Sequence, residues 1–90
     1  MPYLTVAGLA QAKAAVDALL EDLGLSAYVF AVEPREGAWA VIVECATESG
    51  WQRAEVQASH ELLVAGLGDS EARDALLAQW RPHLAACKAD

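Results

Sequence analysis

Between Ala27 and Ala46 the chain reads AYVFAVEPREGAWAVIVECA, two apolar arms rich in β-branched and aromatic residues on either side of Pro34-Arg35-Glu36-Gly37. Such residues suit a pleated, half-buried surface, so the pattern predicts two β-strands. Pro34 presets φ for a turn, and Gly37 supplies the positive φ that closes one with a bulge. With Glu33 opposite Ala38, the large residues Tyr28, Phe30, Val32, Trp39, Val41 and Val43 share one face. Val29, Ala31, Ala40 and Ile42 line the other, with Glu33 and Glu44 at its margin. Neither face is polar enough to be left wholly in water.

Around this hairpin the period changes to that of a helix. Leu9, Ala12, Val16, Leu19, Leu20 and Leu23 form one stripe from Gly8 to Leu23, with Thr5 as a candidate N-cap and Gly24 as the left-handed stop. After the hairpin, Ser49 and Gln52 are spaced as a capping box for a second helix from about Trp51 to Ala65. Trp51, Ala58, Leu62 and Ala65 make one stripe and Val56, His60, Leu63 and Leu67 a second, so this helix is apolar on two sides. Gly66-Leu67-Gly68-Asp69-Ser70 breaks the chain before a final helix from about Glu71 toward Ala86. Pro82 is expected to bend or interrupt it. The predicted fold class is α+β, a single domain over residues 1–90 in the order helix, two-stranded antiparallel hairpin, helix, helix.

A lone hairpin is marginally stable in water, and both its edges carry unpaired N–H and C=O groups. Helices of the same chain can cover the large-residue face, which leaves the small-residue face and at least one edge. Completion of the sheet by a second copy of the chain is therefore expected, through an interface of Val29, Ala31, Ala40 and Ile42 with Trp39 and Arg35 as anchors beside the turn. The competing expectation is a monomer in which Tyr3 to Val6, or Glu55 to Gln57, supplies a third strand. Trp39 also has a second role open to it, as part of a core nucleus with Trp51 and Trp80.

Composition narrows the function classes. Ninety residues allow one small core, and a hydrophobic fraction of 56% is high for that size, which favours association. Thirteen acids against six bases, a formal charge of −7, leave no basic patch for a phosphate backbone, so nucleic-acid binding is not expected. The first residues lack the basic start and apolar run of a signal peptide, and no stretch approaches the ~20 apolar residues of a membrane helix. A cytoplasmic protein with its two cysteines reduced is the expectation that follows.

Candidate chemistry is sparse. Cys45, His60, His83 and Cys87 are the soft ligands of the chain, and His83 and Cys87 are four apart on the predicted last helix, a spacing that puts two donors on one metal. Without a paired knuckle they remain weak metal candidates, and no cofactor is expected. The acids read as solvated or capping groups, Asp69, Glu71 and Asp74 at a helix start among them.

Pro2, followed by Tyr3-Leu4-Thr5-Val6, a helix and the strand from Ala27 to Glu33, resembles over the first third of the chain the opening of tautomerases of the 4-oxalocrotonate type. That resemblance implies a β-α-β start and a Pro2 nitrogen acting as general base once Met1 is removed. The sequence departs from the family pattern in having no arginine before Arg35 and in carrying two further helices. Two functions are thus in view. The first is a small acidic non-enzymatic interaction protein, an adaptor, assembly factor or inhibitor of a larger protein partner, working as a homodimer. The second is a small enzyme or ligand-binding protein with an interfacial pocket that uses Pro2 or the cysteine and histidine side chains.

Overall fold

The computed structural model describes residues 5–89. Helix α1 spans Val6–Leu23, and both its ends match the sequence signals. Thr5 Oγ1 accepts from the Gly8 N–H at 2.9 Å, and Gly24, at φ 70°, donates its N–H back to the Glu21 carbonyl. The stripe Ala12, Ala15, Val16, Leu19 and Leu20 is buried.

Strands β1 (Tyr28–Arg35), β2 (Ala38–Thr47) and β3 (Gly50–Ala58) form an antiparallel meander in that spatial order. Two expectations are corrected here. Arg35 pairs with Ala38, so the turn is Glu36-Gly37 alone, both at positive φ (52° and 78°), and Pro34 lies inside the strand. That two-residue hairpin matches the right-handed twist of the strands better than the expected four-residue turn. The register moves by two residues, which keeps every side chain on its predicted face.

The larger correction is at Gly50–Ala58, found as β3: from Trp51 on it is predicted as the first half of a helix, and the competing expectation of a third strand at Glu55 to Gln57 is the one that holds. Its sequence GWQRAEVQA is rich in helix formers, yet it also alternates: Ala54, Val56 and Ala58 point one way and Trp51, Arg53, Glu55 and Gln57 the other. Pairing from Thr47↔Gly50 to Trp39↔Ala58 satisfies the second edge of β2, a gain that outweighs weak local propensity. The sheet thus has three strands, and the chain's own third strand does what a partner was expected to do for β2. Thr47 Oγ1 closes the β2–β3 turn, donating to the Gly50 carbonyl at 2.6 Å and accepting from the Ser49 N–H at 3.1 Å.

Helix α2 is correspondingly short, His60–Gly68, with Ser59 rather than Ser49 as its cap (Leu62 N–H to Ser59 Oγ, 3.2 Å). Helix α3, Ser70–Trp80, is capped by Asp69, and Pro82 converts the predicted continuation into a 3-10 turn at Arg81–Leu84. Arg73 holds this corner, its Nε donating to the Gly66 carbonyl at 2.9 Å and its guanidinium 3.8 Å from Asp22 on α1.

All the helices lie on one side of the sheet. The core joins Val16, Leu19 and Leu20 of α1 and Leu63, Leu76, Leu77 and Trp80 of α2 and α3 to Val32, Trp39, Val41, Val43 and Val56 of the sheet. Those strand residues occupy the same rows of the register and so share one face. Val29, Ala31, Ala40 and Ile42 face the other way and take no part in that core.

Candidate interaction face and the C-terminal disulfide

The register lays out the helix-free face in five rows across the sheet. From the β1–β2 turn they are Arg35–Ala38, Glu33–Ala40–Gln57, Ala31–Ile42–Glu55, Val29–Glu44–Arg53 and Ala46–Trp51. Ala40 and Ile42 are buried, at 0% and 7% exposure, although no helix covers them. They sit on the central strand between the side chains of β1 and β3, and Arg35 lies over this end of the face. Its guanidinium bonds Glu33 on its own strand and Glu55 on β3, both at 2.6 Å, and to reach β3 it must cross over β2. The Glu55 hydrogen bond, then the Glu55 charge, raise the Arg35 pKa, and the guanidinium is cationic throughout.

The far end of the face is open. Val29 is 58% exposed and Trp51 59%, with exposed Ala31 and half-buried Ala46 near them. Between Val29 and Trp51 lie Glu44 and Arg53, opposite one another in the register yet in no ion pair among the described residues. Of the residues expected at an interface, Val29, Ala31, Ala40, Ile42 and Arg35 are gathered on this one face, with Ala40 and Ile42 beneath the Arg35 clasp. Trp39 lies on the helix side, 1% exposed, its indole N–H donating to His60 Nδ1 at 3.1 Å. Trp51, read as a helix residue, joins the face instead. The alternation Trp51, Arg53, Glu55, Gln57 was the signal that would have placed it.

The soft ligands are divided. Cys45 and Cys87 form a disulfide, a correction to the expected reduced pair, with Cα atoms 5.6 Å apart. Both sulfurs are therefore consumed. The 3-10 turn ends at Leu84, so Cys87 is not one helical turn beyond His83, and their metal-binding spacing is lost. His60 uses Nδ1 to accept from Trp39, which places its proton on Nε2. Among the described residues no cluster of three or more His, Cys, Asp or Glu is placed to hold a metal ion. Pro2, and with it the tautomerase-like base, lies outside the described residues, as do Tyr3 and Leu4 of the alternative third strand. No described helix is long and apolar enough to cross a membrane.

Compared with protein-family profiles, curated proteins and solved structures, the chain matches none.

Proposed function

We propose that this chain is a small acidic, non-enzymatic interaction protein that associates with a second copy of itself through the helix-free sheet face. The observation that carries this is the pair Val29 and Trp51, more than half exposed on a sheet face that no helix covers. A tryptophan in that position is the kind of side chain on which association energy concentrates. Glu44 and Arg53 favour a second copy over an unrelated partner. They are charges of opposite sign, in no ion pair among the described residues, and a two-fold axis lying in the plane of the contact, parallel to the strands and midway between β2 and β3, would bring each against its counterpart in the other copy. The Arg35 clasp closes the other end, so contact is confined to the Val29–Trp51 end.

Sedimentation equilibrium tests this. The wild-type chain is expected to dimerise, and Trp51→Ala with Val29→Lys to weaken the dimer by about tenfold or more with the circular dichroism spectrum unchanged. A wild-type chain that stays monomeric at its highest soluble concentration overturns the proposal.

A further inference from the structure

The C-terminal residues 85–89 carry a second device, independent of the sheet face. Past Leu84 the chain reads Ala85-Ala86-Cys87-Lys88-Ala89 and lies across the end of the fold where α1, β1 and β2 meet. Lys88 donates its N–H to the Ala46 carbonyl of β2 at 2.8 Å and accepts from the Ser26 N–H at 2.9 Å, and Ala89 makes a β-bridge with Leu25. With Ala85, Cys87 and Ala89 the segment forms part of the wall of a cleft of about 210 Å³, the rest of which includes Leu23, Leu25 and Leu84.

We propose that this segment is a redox-controlled strap, closed while Cys45 and Cys87 are bonded and released when a dithiol reduces them. What holds the segment decides the matter. Three of its five residues are alanine, and the lysine makes only an exposed 3.9 Å contact with Glu48, an interaction worth little in water. Among the described residues Cys87 is its only strong side-chain anchor, through the bond to Cys45, which is 2% exposed in β2. Without that bond, three backbone hydrogen bonds among the described residues, Lys88 to Ala46, Ser26 to Lys88 and Cys87 to Leu84, are left to offset the ordering entropy of five residues, and the entropy is the larger. The main core draws on α1, the sheet, α2, α3 and Leu84 and includes no large residue of the strap, so it stays folded.

The two sulfurs are unequally accessible, which sets the route. Cys87 is half-buried and lines the cleft, so a thiolate of the dithiol attacks its Sγ. The Cys45 sulfur leaves as a thiolate and is protonated. The second thiol of the reductant then attacks its own sulfur in the mixed disulfide and frees Cys87. Two electrons and two protons pass to the protein and the dithiol becomes a disulfide. Release uncovers the Ala46 carbonyl, the Ser26 N–H and the apolar side chains of Leu25 and Leu84.

Hydrogen exchange on the full chain, oxidised and then reduced with dithiothreitol, tests the strap. After reduction the amides of Ser26 and Lys88 are expected to exchange about tenfold faster or more and to approach the rate of an unstructured chain, while those of Val41, Val43 and Val16 to Leu20 stay protected well below that rate. The Cys45→Ser/Cys87→Ser variant should match the reduced protein and ignore reductant. If that variant does not fold, the reduced wild type carries the comparison alone. Three results overturn the proposal: free thiols in the untreated chain, unchanged protection at Ser26 and Lys88, or loss of protection throughout the core together with the strap.

Discussion

Trp39 and Trp80 occupy equally buried sites, each 1% exposed, but they differ in one atom's fate. The Trp39 indole N–H has His60 as its acceptor, whereas the Trp80 N–H is buried without a partner among the described residues. Phenylalanine at 39 forfeits a hydrogen bond and leaves a small void, a cost of about 1–3 kcal/mol. At 80 the same change also removes an unsatisfied donor, and the two effects cancel to within about 1 kcal/mol. Urea unfolding of the two variants should separate them, with Trp39→Phe clearly the less stable. Tyr28 supplies a pH dependence. Burial first, then the charges of Asp17 and Glu21, raise its phenol above the ordinary 10.0 in the folded chain. The folded state therefore holds that proton more tightly than the unfolded state does. The associated stability is complete below the ordinary value and is lost as pH climbs through the raised one. Unfolding midpoints should fall above about pH 10, and Tyr28→Phe should flatten that fall. Equal slopes in the two proteins would show that Tyr28 is not the group responsible.

At the level of elements, the β1–β2 turn places a non-glycine residue, Glu36, at φ 52°, a conformation its Cβ disfavours. Asparagine tolerates that conformation, and Asn-Gly is a favoured pair for a two-residue turn with both φ values positive. Glu36→Asn should raise stability by about 0.5–1 kcal/mol, read as a higher urea midpoint with an unchanged slope. Gly37, at φ 78°, has no such room for improvement. The disulfide joins elements far apart in the chain. Its 42-residue separation corresponds to about 4 kcal/mol in the chain-entropy account. That sum is a large part of the stability of a small domain, so reduction weakens the whole fold and its most weakly held segment is the first to be lost.

Over the whole molecule, net charge works against self-association. Two copies at −7 each repel at long range, while the contacts proposed at the Val29–Trp51 end act at short range. Added salt screens the first far more than the second. Dimerisation should therefore strengthen as sodium chloride rises from about 10 to about 150 mM, in the same sedimentation experiment that tests the face itself. A dimer that weakens over that range would mean that attractive charge pairs dominate the contact. One-sided helix packing gives the molecule its polarity, with the helices over one face of the sheet and the other face guarded at one end by Arg35.

The α+β character, the first helix with its Thr5 and Gly24 ends, the two faces of β1 and β2, and the break at Pro82 were all legible in the sequence. Each is set by residues within a few positions of one another, through periodicity, capping and the geometry of proline. Tertiary structure decided for a strand containing Glu55 to Gln57, the competing expectation, over the helix from Trp51, and with it which tryptophan is left in solvent. It alone decided the Cys45–Cys87 bond. The helix-forming residues of Gly50–Ala58 became a strand because β2 offered them an unpaired edge, and that edge turned Trp51 outward. The cysteines met because the third strand and the shortened last helix bring the end of the chain back to β2. Periodicity within a segment cannot express a pairing between segments, since its energy belongs to neither one alone.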